Sequence, residues 1–279
     1  MLAGALAGVS CAVLSPLVVL RRMAFVGDGM AHAAFGGIGI ALFLLPNAQY
    51  EDLSVQLVTL AFCLVLGGAI ARASRSVSTE KIAEDSAIGI AFSVSMALGA
   101  LFIALRQKRS AQNVPPMDYY LFGSMLNISS NDVLFLACIA VAVVVLMVLL
   151  RKEMLFYTFD ARLAEASGLN VGVFHYLFMM LLVLTVVVSS RVVGIILVST
   201  SLILPGVIAL KICNRLAPAM LAAAIVGIAS FELGLYTSYE FSGGGAQIHP
   251  GTTIILIQFA LLLCVSAFRR LIVRPKLPA

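Results

Sequence analysis

Asp28 and His32 stand four residues apart in the run GDGMAHAAFGGIG, residues Gly27–Gly39. On a helix, residues four apart project from the same face. A carboxylate and an imidazole together suit a first-row divalent cation such as Zn²⁺, Mn²⁺ or Fe²⁺. Two protein ligands leave several positions to water, so the ion would be held loosely. That weakness suits a transport site, which must let its ion go again. Gly36 continues the same stripe and Gly39 lies close to it. Small residues there either admit a neighbouring backbone or leave space in front of the pair. On spacing alone two plainer readings compete: Asp28 as an N-cap aided by the helix dipole, and His32 as a packed core histidine.

Glu232, in SFELGLYTSY, is the other acidic residue inside an apolar run. It is a candidate third ligand or path-lining carboxylate; equally, it fits an interfacial group that reaches water. His249 sits in the glycine-rich SGGGAQIHPG stretch and reads as a loop residue, while His175 opens a later apolar run and reads as packing or interfacial. The five cysteines are dispersed singly, with no CxxC and no Cys/His cluster, so neither a zinc knuckle nor a disulfide framework is expected. No HExxH, GxSxG or GxxxxGK[ST] motif occurs, so the chain has no ATPase motif of its own and is not expected to be an enzyme.

These residues must be positioned by membrane helices. Of 279 residues, 62% are hydrophobic and 11% charged, against about 45–50% and about 25% in soluble domains. About 173 hydrophobic residues suffice for eight or nine crossings at roughly 20 residues each. The apolar runs are continuous rather than alternating, which excludes a membrane β-barrel. The expected fold is therefore an all-α polytopic membrane protein, a single transmembrane domain over residues 1–279. About nine spans (eight to ten) are read at Leu2–Leu20, Asp28–Leu45, Ser54–Ala71, Ser86–Leu105, Asp132–Leu150, Val173–Ser190, Val192–Ile212, Ala217–Tyr236 and Gly251–Phe268. Pro205-Gly206 should break the seventh or free a carbonyl that a neighbouring helix must satisfy. The opening run has no charged n-region and reads as the first span, not a cleaved leader.

With the first span running outside to inside, one side holds 14 of the 18 basic residues and the other only Arg106, Lys108, Arg109 and Arg191. The positive-inside bias places the N-terminus outside and the C-terminus in the cytoplasm. The net charge of +5 is thus a topology signal, and no basic stretch is interleaved with aromatics as a nucleic-acid surface requires. The outer segment Arg106–Asn131 carries Tyr119, Tyr120, Leu121 and Phe122, which read as a short interfacial or re-entrant helix. On the inner segment, about 151–172, Asp160 can cap a short helix that Gly168 closes, with Leu163, Ala164 and Ser167 along one side. Such a helix either docks a cytoplasmic partner or lies on the inner leaflet.

Taken in order, SPLVVLRRMAFVGDGMAHAAFGGIGIAL, DSAIGIAFSVSMALGALFIAL, DYYLFGSMLNISSND, FDARLAEASGLNVG, VVGIILVSTSLILPGVIALKI and PGTTIIL resemble the permease subunits of metal-type ATP-binding cassette importers, the zinc/manganese/iron uptake family. The resemblance covers most of the chain, and GDxxxH and the LxLPGxxA-like stretch are its most diagnostic parts. It implies a type II ABC importer-like permease in a bacterial cytoplasmic membrane, working as a homodimer or paired heterodimer with the ion path along the subunit interface. Partners follow: two cytoplasmic ATP-binding cassette subunits and an extracytoplasmic metal-binding protein. The divalent metal ion is cargo, and no permanently bound cofactor is expected.

Asp28 and His32 match the family's acidic and histidine positions, and Asp160 to Gly168 matches the segment that couples to the ATPase. Glu232 falls in no matched motif. The Gly-rich Ser242–His249 departs from the pattern, so docking of the binding protein does not carry over. A sibling permease for cobalamin or an iron-siderophore shares the helical plan but would need a wide apolar path without a ligating pair. An intramembrane metalloenzyme would need a fuller ligand set, and a structural or receptor-like membrane protein would leave transport unaffected when deleted.

Overall fold

The computed structural model describes residues 2–50, 52–75, 82–109, 120, 123, 130–159, 161–242 and 249–272. Among the described residues twelve helices follow one another: α1 Leu2–Leu20, α2 Ala24–Leu44, α3 Leu53–Arg75, α4 Ile82–Arg109, α5 Ser130–Leu149, α6 Arg151–Phe159, α7 Ala161–Ala166, α8 Val171–Val193, α9 Ile195–Ser201, α10 Leu204–Ile212, α11 Leu216–Ser242 and α12 Pro250–Ile272. Among the described residues nine stretches are long and apolar enough to cross a membrane, with α9 and α10 together forming one. Helices are the expected outcome, because lipid offers no partner for a backbone N–H or C=O.

Two helices form the centre. α1 packs mainly on α11 and also on α5 and α10, while α2 packs mainly on α4 and also on α3 and α8. The perimeter is apolar and exposed: Ile90, Val94 and Leu101 on α4, Val141 and Val145 on α5, and Leu256, Phe259 and Leu263 on α12. Those side chains suit lipid or another apolar surface, not water.

Small residues set the α2–α4 contact. A Cβ built on Gly36 would lie 2.6 Å from the Ser95 carbonyl oxygen, and one on Gly39 would lie 2.7 Å from Gly99 Cα. The backbones therefore touch, as small-xxx-small pairs allow between membrane helices. Of the two uses the sequence left open for this stripe, close approach is the one observed at Gly36 and Gly39.

The seventh span, Ile195–Ile212, starts after one break and contains another, both before Pro205. Gly194, at φ 90 and ψ 155, ends α8 and opens α9, a conformation essentially reserved for glycine. A second interruption at Leu202 and Ile203 precedes α10, where Pro205 occupies the first turn and removes no helical hydrogen bond. The amide left over there is that of Gly206, and it donates to Ser15 Oγ of α1 at 2.7 Å. A neighbouring helix thus satisfies the break, through an N–H rather than a carbonyl. Farther along, Gln258 Nε2 reaches Ser201 Oγ at 3.3 Å and Ser230 Oγ at 3.2 Å, tying α9, α11 and α12 together.

Two basic residues assigned to loops belong to the bundle. Arg106 extends α4 and is buried, donating to the carbonyls of Leu42 at 2.6 Å, Leu45 at 3.3 Å, Pro46 at 3.4 Å and Ala48 at 2.5 Å. It closes the C-terminal end of α2, where helical carbonyls have no partner of their own. Arg191 pairs with Asp132 at 3.3 Å and donates to Gln56 Oε1 at 3.0 Å. Beside them Tyr120 is buried edge-on to Phe35 and Tyr50. The expected short helix at 119–122 otherwise lies outside the described residues.

Candidate metal site

α2 begins at Ala24, so Asp28 lies one turn inside the helix rather than at its cap; Met23 is the N-cap and makes no side-chain capping bond. The capping reading of Asp28 is thereby excluded. Its carboxylate is free for other work, at 45% exposure.

His32 sits one turn further along the same face, 19% exposed, with Nε2 3.8 Å from Asp28 Oδ1. Metal–ligand bonds of about 2.0–2.2 Å place two ligand atoms roughly 3.0–3.6 Å apart. The observed gap closes to that range with a small side-chain rotation. On the other side, His32 stacks edge-on against Phe92 of α4, with centroids 4.8 Å apart and planes at 83°. Its Nδ1 is buried without a hydrogen-bond partner among the described residues. The imidazole is thus steered by packing, leaving Nε2 toward Asp28.

Beside Asp28 lies a hollow of about 400 Å³, lined by Phe25, Asp28, Gly29, Ile88, Gly89 and Phe92. A Cβ on Gly89 would meet nothing within 4 Å, so this glycine leaves room where Gly36 and Gly39 close it. Phe25, in the hollow's lining, is 71% exposed, and Gly89 is exposed as well. The space therefore opens sideways, out of the bundle between α2 and α4, and not into its core. Phe92 and Gly89 escaped the sequence reading. Their only signal was the GIAF stretch in an otherwise featureless apolar run.

Glu232 is not brought to the pair. It lies on α11 beside Phe231, which packs on Gly8, and one turn from Leu235, which packs on Gly4. Those contacts belong to the first half of α1, whereas Asp28 lies past α1's other end. Among the described residues no group of three or more His, Cys, Asp or Glu side chains could hold a metal ion. The carboxylate and imidazole that one chain brings together here are those of Asp28 and His32. His249 is exposed, and its carbonyl accepts from the Thr252 amide and hydroxyl at the start of α12.

At the basic end of the bundle, the segment at 151–172 holds α6 and α7 rather than a single helix. Asp160, expected as a cap, lies outside the described residues. Gly168 does close α7: at φ +83 it holds the left-handed position while its amide bonds to Glu165 O and that of Leu169 to Ala164 O, both at 3.0 Å. Leu163 is half exposed, as are Phe156 and Phe159 of α6, but Ala164 is buried. Leu163 and Ala164 thus face different ways, and Leu163 joins Leu155, Phe156 and Phe159 in the segment's exposed apolar surface.

The chain is 34% identical over 255 residues to the manganese transport system membrane protein MntC of Listeria monocytogenes, covering 90% of this chain and 85% of that one. It is 33% identical over 260 residues to the chelated iron transport system membrane protein YfeD of Yersinia pestis, covering 93% and 80%. Among solved structures, PsaBC from Streptococcus pneumoniae in complex with Fab superposes with a TM-score of 0.78 at 26% identity, over 95% of this chain and 88% of that one. The ABC 3 transport family model matches residues 1–269. The chain therefore belongs to the ABC 3 transport family, as a multi-pass membrane component of a transporter and not its ATPase.

Proposed function

We propose that this chain is the permease subunit of a bacterial ABC importer that carries a divalent transition metal ion, Mn²⁺ or Fe²⁺ foremost, into the cytoplasm. The observation that carries the reading is the Asp28–His32 pair, whose carboxylate lines a hollow between α2 and α4. Manganese and iron transport proteins among its relatives support the choice of cargo.

A hollow that opens sideways needs a second wall, and a second copy of the chain supplies one. Two copies facing each other at α2 and α4 bring two carboxylates and two imidazoles to one path, enough to replace most of an ion's water. Loose, mixed oxygen and nitrogen ligation discriminates weakly among Mn²⁺, Fe²⁺ and Zn²⁺, so an extracytoplasmic binding protein makes the first selection. The basic end faces the cytoplasm, where ATP-binding subunits dock on α6 and α7 through Phe156, Phe159 and Leu163. Their ATP cycle moves these helices and changes which side of the path is open.

The test is accumulation of Mn²⁺, Fe²⁺ and Zn²⁺, each supplied alone, by cells expressing the complete complex or lacking only this chain. At least one metal should depend on the chain. Equal content of all three metals in both strains would overturn the reading.

A further inference from the structure

Arg21, Tyr157 and His175 come from three separate elements and meet at the basic end of the bundle. Arg21 caps α1 and leads into a tight turn: the Met23 amide bonds back to Val18 O at 2.9 Å and that of Arg22 to Val19 O at 3.1 Å. Arg22 holds the left-handed position, φ 58. Met23 and Val18 are both buried, so the turn is packed as well as hydrogen-bonded. α2 starts one residue later, and Asp28 lies five residues beyond Met23.

Tyr157, on α6, is buried beneath this turn. The Arg21 guanidinium stands 3.9 Å from the centroid of its ring. Nη1 donates to the Tyr157 carbonyl at 3.0 Å and Nη2 to the Tyr157 hydroxyl at 2.7 Å. Having accepted from Arg21, that hydroxyl still has its own proton to give, and His175 Nδ1 on α8 lies 2.7 Å away. Charge-assisted bonds in a fixed fork tolerate little sliding. A shift of α6 must therefore carry Arg21 with it or break the set.

We infer that Arg21, Tyr157 and His175 form a clamp that passes displacement of the α6–α7 segment to the α1–α2 turn, and so to the first turns of α2. The inference rests on the transport reading above, and it makes Arg21 and Tyr157 positioning residues for the Asp28–His32 pair. His175 Nδ1 orients the hydroxyl from α8 and so keeps the tyrosine engaged with Arg21. The clamp acts on coupling, not on binding: it sets how much metal crosses per ATP.

The experiment uses the complete complex in proteoliposomes, with Mn²⁺ uptake and ATP hydrolysis read in the same vesicles. Tyr157→Phe keeps the ring under Arg21 and the backbone carbonyl and removes only the bridging hydroxyl. Since one hydrogen bond shifts an equilibrium about fivefold or more, Mn²⁺ moved per ATP should fall about fivefold while hydrolysis persists. His175→Leu should behave alike. His175→Asn, which puts an amide oxygen near the place of Nδ1, should restore the ratio. An unchanged ratio in Tyr157→Phe and His175→Leu would overturn the clamp. Parallel loss of uptake, hydrolysis and assembly in both would overturn it too, because it would mark a mere structural prop. A wild-type complex that hydrolyses ATP yet moves no metal would instead overturn the transport reading.

Discussion

Arg106→Met removes the guanidinium that closes α2 while keeping an apolar stem of similar reach. Two of its four bonds are short, to Leu42 O at 2.6 Å and Ala48 O at 2.5 Å, and two are long, at 3.3 and 3.4 Å. A hydrogen bond to a charged group contributes about 1.5–3 kcal/mol, so the short pair alone represents about 3–6 kcal/mol. Relief from burying a charge offsets part of this, leaving a loss of about 2–4 kcal/mol. For a chain of this size that lowers Tm by about 4–16 °C. Arg106→Lys should fall between, because an ammonium keeps the charge but cannot fork across separate carbonyls. With no tryptophan in the chain, the readout is size-exclusion of a fluorescently tagged permease after heating in detergent. Arg106→Met melting within about 1 °C of wild type would refute the argument that this arginine holds the end of α2.

Gly36→Leu places a branched side chain where a Cβ alone would lie 2.6 Å from a backbone oxygen of α4. The helices must separate, at a cost of about 1–3 kcal/mol or more. Folded yield of the permease should drop clearly, whereas at Gly89, where the same measure finds open space, alanine should leave yield unchanged. Gly168→Ala meets no clash but must hold φ +83, a penalty of about 1–2 kcal/mol against a smaller gain from a stiffer unfolded chain. Co-purification of the ATP-binding subunit should weaken with alanine and more with valine, while asparagine, which tolerates that conformation, should be mildest.

Much of the architecture is legible in residue types alone. Nine apolar runs bounded by charges correspond, among the described residues, to nine helical stretches long and apolar enough to cross a membrane, because lipid leaves a backbone little choice but helix. The four-residue spacing of Asp28 and His32 likewise settles that they share a face. What sequence did not reveal depends on pairings distant along the chain. Arg106 and Arg191 read as loop charges until their acceptors, 58 or more residues away, are seen. Gly194 gave no more warning than other glycines, since its φ of 90 follows from how α8 and α9 must pack. Tyr157 and His175 look unremarkable because their link to Arg21 joins α1, α6 and α8. The hollow is formed by α4 as much as by α2, and no local pattern in either helix announces it.

The central claim is that Asp28 and His32 touch the ion as it crosses. Its most direct measurement is metal content, by element analysis, of cells expressing complexes with Asp28→Ala or His32→Ala, with each complex assembled to wild-type levels. Both variants should accumulate no more metal than cells lacking the permease. Wild-type accumulation of Mn²⁺, Fe²⁺ and Zn²⁺ in both would contradict the claim.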